Sequence, residues 1–286
     1  MKTSGRTRKR IASTTNPQHD PRRESSDQNS IKLKLTIAYD GTNHQGWQAQ
    51  KNGVTIQQRI EEALQSLFPS VARIHGSSRT DTGVHALGMA AHVTIPKSEF
   101  HMTVRKVPLA LNAFLPDDIR IINASRVPIG FHARFDCQRK QYRYQIWNHR
   151  TANPLLRSFT WHVPVKLDLD RMRQAAQGFV GKHDFRSLAA NQDYESEDTV
   201  RTLFRCDLQA SGSLITIIME GDGFLYKMCR AIVGTLHQVG RGKKSAEDIP
   251  QILNQRARQY AGMTAPAHGL TLYRVLYSPP KQRDRF

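Results

Sequence analysis

The sequence predicts an α+β protein made of two consecutive β-α-β-β-α-β units, the split-βαβ (ferredoxin-like) arrangement in which helices cover one face of an antiparallel sheet. Two observations carry this. Segments of strict apolar/polar alternation are interleaved with segments of helical periodicity, and the same order of elements occurs twice along the chain. Two such units joined edge to edge give one mixed sheet with a cleft between the halves, expected over residues 31–130 and 131–278.

Ile31, Leu33, Leu35, Ile37 and Tyr39 alternate with Lys32, Lys34, Thr36 and Ala38, a strand with one buried face. Thr55-Ile-Gln-Gln58 reads as a capping box, and behind it Ile56, Ile60, Ala63, Leu64, Leu67 and Phe68 share a helical face that Pro69 ends. Strands near 71–76 and 89–95 follow, then a helix around 103–114 with Pro108 in its first turns, and a strand at 118–127. The second unit opens with a strand near 140–147 and a short extra strand near 158–163. Asp168 then starts a helix whose apolar side carries Leu169, Met172, Ala176 and Phe179. Strands at about 200–209 and 213–220, helices at 224–239 and 246–257, and a strand at 270–277 complete it.

Hydrophobic residues at 38% suffice for real cores in 286 residues, and 42 Lys plus Arg against 24 Asp plus Glu leave a formal charge of +18. Such an excess predicts a polyanionic partner, nucleic acid before membrane. No stretch approaches the roughly 20 apolar residues of a membrane span. Cys137, Cys206 and Cys229 are scattered and odd in number, which speaks for a reducing, cytoplasmic setting and against a disulfide framework or zinc site. Residues 1–30 hold no aromatic side chain, and Lys2, Arg6, Arg8, Lys9, Arg10, Arg22 and Arg23 outnumber Asp20, Glu24 and Asp27. This reads as a disordered basic tail. It has no apolar core for a bacterial signal peptide, whereas an organellar transit peptide remains an alternative reading. Residues 279–286 form a second, short basic tail.

Several motifs fail on inspection. Gly240-Arg-Gly-Lys-Lys-Ser245 lacks the first glycine of a P-loop, where His237 stands. Gly221-Asp-Gly-Phe-Leu-Tyr226 has Tyr226 where a dinucleotide fingerprint needs glycine. His85 and His92 are too far apart for paired metal ligands on one helix. The loop Gly76-Ser-Ser-Arg-Thr-Asp-Thr-Gly-Val-His-Ala86 is different, because a glycine-shaped path presents Arg79 and Asp81 together between two strands.

That loop resembles the signature of the TruA family of tRNA pseudouridine synthases. Further blocks resemble the family in the right order over about residues 31–277. They are Tyr39-Asp-Gly-Thr-Asn-His-Gln-Gly-Trp-Gln-Ala-Gln50 with Thr55-Ile-Gln57; Phe131-His-Ala-Arg-Phe135; Tyr142-Arg-Tyr144; His183-Asp-Phe-Arg-Ser187; Thr199-Val-Arg201; and Gly223-Phe-Leu-Tyr-Lys-Met-Cys-Arg230. Ser77-Ser78 and Cys229 depart mildly from its pattern. The resemblance implies a cytoplasmic homodimer that isomerises uridine in the tRNA anticodon stem-loop, at about positions 38–40, with neither cofactor nor metal and no membrane. It implies Asp81 as nucleophile, Arg79 assisting extrusion of the target base, Tyr142 stacking on the extruded uracil, and Arg230 pairing with Asp81. The alternative from the residues is a non-catalytic RNA-binding protein with tandem split-βαβ folds. In such a protein a carboxylate facing RNA would only hinder binding.

Overall fold

The computed structural model describes residues 29–50, 53–190 and 199–277. Most of the basic tail expected over residues 1–30, and all of that over 279–286, lie outside the described residues. Strand β1 (Ser30–Tyr39) keeps its sequence alternation, burying Ile31, Leu33, Leu35, Ile37 and Tyr39 on one face. Helix α1 (Ile56–Leu67) buries Ile56, Ile60, Ala63 and Leu64. Thr55 accepts from the Gln58 N–H at 3.3 Å, but the Gln58 side chain donates to Glu62. Only half of the expected capping box therefore forms, and the exposed helix face takes the other half's hydrogen bond.

Strand β2 (His75–Gly76) is cut to two residues, while β3 (His85–Pro96) runs longer than its alternation suggested. A 3-10 turn over Val104–Lys106 leads into α2 (Val107–Asn112), with Pro108 in its first turn, and β4 (Ile119–Val127) closes the unit. The second unit begins with β5 (Arg139–Trp147), to whose end β6 (Trp161–His162) adds in parallel. Helix α3 (Leu169–Gln177) is capped by Asp168, which accepts from the Asp170 and Arg171 N–H groups. Strand β7 (Gly181–Asp184) was not expected, since Gly-Lys-His-Asp has no apolar alternation; its ladder with the next strand makes it. That neighbour, β8 (Val200–Ser211), leads to β9 (Leu214–Gly221), α4 (Met228–Gly240), α5 (Asp248–Gln255) and β10 (Leu270–Leu276). Helix α4 starts four residues later than expected. Lys227 has φ 60°, a left-handed conformation that ends any helix reaching it and leaves Gly223–Lys227 as a turn.

The sheet order is β4-β1-β3-β10-β5-β9-β8-β7, with β2 also on β3 and β6 on β5. The fold class is therefore the expected one, a mixed sheet joined across the two units. The join lies on one edge of β3. There β2 takes Ala91 and His92, while β10 runs parallel along His85 and Ala86. Strand β10 in turn pairs antiparallel with β5, so it belongs to both units' ladders. One continuous apolar core, from Ile31 to Leu272, underlies the whole sheet.

Helix α4 is pressed against the segment ahead of β10. A β-carbon on Gly234 would lie 1.7 Å from the Met263 carbonyl oxygen, and Thr235 Oγ1 accepts from the Gly262 N–H at 2.9 Å. Gly234→Ala should therefore destabilise the protein by about 1–3 kcal/mol or more, as overpacking against backbone does. Gly130→Ala, whose β-carbon meets nothing within 4 Å, should stay within about 0.5 kcal/mol of wild type. Denaturant unfolding of the two variants checks the contrast, and equal stability would contradict it.

Candidate active site

The loop from Ser77 to Val84 leaves the sheet between β2 and β3 and is held at its base from three sides. Ser77 N–H donates to the Ala90 carbonyl at 2.8 Å, and Tyr39 Oη and Thr80 Oγ1 share a buried hydrogen bond of 2.8 Å. Trp47 N–H donates to the Thr80 carbonyl at 3.1 Å. Gly46, at φ +78°, allows that approach, because a β-carbon there would lie 2.5 Å from the same carbonyl oxygen. His85 ties off the far end. Its Nδ1 accepts from the Gly41 N–H at 3.0 Å, and its Nε2 reaches the His268 carbonyl at 3.1 Å, just ahead of β10.

This scaffold presents Asp81 to α4. Arg230 Nη1 donates to Asp81 Oδ2 at 2.8 Å, with the two side chains only 14% and 17% exposed. Arg230 is itself fixed, since its Nε donates to the Ala265 carbonyl at 2.7 Å and its carbonyl accepts from the Ala265 N–H at 3.0 Å. A charge pair this far from water contributes little net stability when intact. Removing either partner would strand the other charge, so the pair sets geometry.

Asp81 opens onto a cavity of about 730 Å³ between the halves, also lined by Arg79, Tyr142, Lys140, Phe224, Leu225 and Cys229. This is an ordinary volume for a small-ligand site. Tyr142, 6% exposed, meets Phe224 edge-on at 5.1 Å. Burial, reinforced by the Cys229 thiol and more weakly by the Asp81 charge, pushes the Tyr142 phenol well above its ordinary range, with the Ser78 hydroxyl pulling the other way. The ring therefore enters any reaction as a neutral phenol. Arg79 is exposed on the rim and has no hydrogen bond or ion pair with the described residues. Of the four residues singled out in the sequence, Asp81, Arg79 and Tyr142 line the cavity, and Arg230 reaches Asp81 from behind it. Tyr144 plays a different part, buried with its hydroxyl on the Pro266 carbonyl at 2.9 Å.

Sequence reasoning missed the supports. Trp47, Thr80 and His85 lay inside recognised blocks but without a role, and Lys140, outside them, carried no signal. The turn that failed as a dinucleotide fingerprint brings Phe224, Leu225, Tyr226 and Lys227 into the cavity wall. Beside it a stack of rings climbs from the core to the rim. His92 lies 5.0 Å from His75 and 4.7 Å from His132, and His132 stacks on Phe135 at 4.2 Å. Among the described residues, no three His, Cys, Asp or Glu side chains gather as a metal-binding group.

A family profile described as tRNA pseudouridine synthase matches residues 35–136 and 175–278. The chain is 44% identical over 246 residues to "tRNA pseudouridine synthase A" of Geotalea uraniireducens, covering 86% of this chain and 99% of that protein. The protein of the same name from Acetivibrio thermocellus is 45% identical over 249 residues, and that from Bacillus licheniformis 43% over 249, each with the same coverage.

The ring stack makes stability depend on pH. Burial, with the neighbouring His132, His75 and Lys32 charges, lowers His92 from 6.5 to about 4, against a weak opposing pull from Asp136. Its Nδ1 accepts from the Ala133 N–H at 3.1 Å, so protonation would also break that bond. Between those two values the unfolded chain binds the proton and the folded protein does not. Stability should therefore be intact above pH 6.5 and fall as the pH is lowered towards 4. Chemical denaturation across this range should show the slope in wild type and a shallower one in His92→Gln. Identical slopes would contradict a neutral buried imidazole.

Proposed function

Because the chain belongs to the tRNA pseudouridine synthase family, and is thus an isomerase acting on tRNA, we propose that it converts uridine to pseudouridine in the anticodon stem-loop, at about positions 38–40, with Asp81 as nucleophile. The observation that carries this reading is the Asp81–Arg230 pair at 2.8 Å, opening onto a cavity deep enough for an extruded nucleoside.

The reaction breaks the bond between N1 of uracil and C1′ of ribose, turns the base, and joins C5 to C1′; the C5 proton leaves and N1 gains one. Every atom of the product comes from the substrate, so no redox group is required. Asp81 supplies the covalent step, and Arg230 holds the carboxylate in one orientation. Tyr142 offers the flat face of a neutral phenol to the uracil, from the wall of the cavity that Asp81 also lines. Arg79, on the rim and without an ion pair among the described residues, enters the helix as the base leaves, offsetting the few kcal/mol that unstacking costs. The same reading makes the enzyme a cytoplasmic homodimer.

Asp81→Asn should yield no pseudouridine on unmodified tRNA while binding it within a few fold of wild type, because the amide keeps the shape but is not a nucleophile. Turnover by that variant, with deamidation excluded, would remove Asp81 from the role. Arg79→Ala should lose activity on the intact stem-loop and regain part of it on an RNA whose target uridine is mismatched. Arg230→Ala should not be rescued by that RNA. Anticodon stem-loops carrying uridine singly at each position, assayed by mass spectrometry, read out both variants and the site of modification.

A further inference from the structure

One group in the cavity wall has no part in the reaction so far. Lys140 stands on β5 two residues before Tyr142, and both side chains face the cavity. Its Nζ crosses the gap between the halves and donates to the Ser77 carbonyl at 2.7 Å, at the root of the loop that carries Arg79 and Asp81. An ammonium has three protons to donate. Among the described residues the other two have no acceptor, and no carboxylate lies within ion-pair distance. Its own burial above all, and then Arg134 and Arg201, lower its proton affinity, while the Cys137 thiol raises it. A desolvated cation without a counter-charge is costly to keep, and the fold keeps it in the wall of the same cavity as the candidate nucleophile.

The cavity lining points to what completes the site. Arg73, Arg79, Arg134, Lys140 and Lys227 all line it, against one acid, Asp81, which Arg230 already engages. The missing partner is therefore an anion brought by the ligand. In an RNA the only fixed anion beside a uridine is a backbone phosphate.

We propose that Lys140 is a substrate-binding residue, its ammonium gripping an RNA phosphate next to the target nucleotide while it tethers the Ser77 carbonyl. This rests on the proposed function, and it links the two events. The same ammonium that positions the catalytic loop also registers that the backbone is seated, so loop and substrate are fixed relative to one another by one charged atom. A neutral side chain of similar length could serve the tether but not the grip.

The test uses full-length protein carrying Asp81→Asn, so that binding is read without turnover, and a stem-loop RNA with the target uridine. Lys140→Gln can still donate to Ser77 but has lost the charge, and Lys140→Arg keeps both. The Gln variant should melt like its parent, bind about tenfold more weakly, and flatten the slope of log affinity against log salt by about 0.7–0.9; the Arg variant should keep both within a few fold. Replacing the phosphates flanking the uridine one at a time by neutral methylphosphonate should weaken the parent at one position and leave the Gln variant unaffected there. Overturning results are wild-type affinity and slope in the Gln variant, or a methylphosphonate penalty that adds in full to the Gln penalty at every position. If Gln fails to fold, the Arg variant with the methylphosphonate series still decides, since loss of the position-specific penalty there with charge retained would also overturn it. Turnover by the enzyme with native Asp81 on the same RNA separates the two readings. Pseudouridine without the coupling removes the phosphate grip alone, and coupling without pseudouridine removes the reaction alone.

Discussion

A strand has two edges, and much of this structure follows from how β3 divides one of them. Strand β1 occupies the first edge almost throughout, from Ser30 opposite Pro96 to Tyr39 opposite Ala86. The second is shared between a two-residue β2 at one end and β10, arriving from the far end of the chain, at the other. Had β2 continued along β3, there would be no place for β10 and no join between the units. Because it stops at Gly76, the chain must leave the sheet until His85, and its backbone groups must find partners elsewhere. The Trp47 N–H supplies one at the Thr80 carbonyl, and the Tyr39 hydroxyl holds the Thr80 side chain. The loop bearing Arg79 and Asp81 is thus a consequence of strand bookkeeping, placed at the seam where the second unit can reach it.

Electrostatics complete what topology begins. A single carboxylate faces a cavity whose other charged lining residues are cations, and low-dielectric walls concentrate such a field on an incoming polyanion. Asp81 would work against that attraction were it not held by Arg230, whose own position is set by the backbone of Ala265. The field outside the cavity therefore favours RNA, while the carboxylate within it stays in one place. The candidate residues differ in depth: Arg79 is exposed at the rim, and Tyr142 and Asp81 lie below it.

The elements that the sequence displayed were those whose side chains alternate against a core. Strand β1 and helix α1 follow their patterns closely, and the repeated order of elements announced two joined units. Strand β7 escaped notice because Gly-Lys-His-Asp has no apolar side chain to reveal it, and α4 began late because a left-handed Lys227 leaves no mark in composition. For the site, a recognisable loop drew attention to Arg79 and Asp81, but local pattern holds nothing about what fixes them. The contacts that do so span 41 residues from Tyr39 to Thr80, 63 from Ser77 to Lys140, and 149 from Asp81 to Arg230. Such distances are set by topology, which periodicity alone does not reveal.

The late arrival of β10 has a temporal meaning. While the chain is being made, the first unit can assemble β1, β3 and β4 as soon as they emerge, since domains fold from the N-terminal side during synthesis. The loop between β2 and β3, however, then runs into an edge of β3 with no neighbour along His85 and Ala86. Only when the ribosome has released residues beyond Leu276 can the last strand slip between β3 and β5 and bring the two units together. A nascent chain therefore leaves the seam between its two units open until β10 has emerged, so the pairing that joins them is completed last.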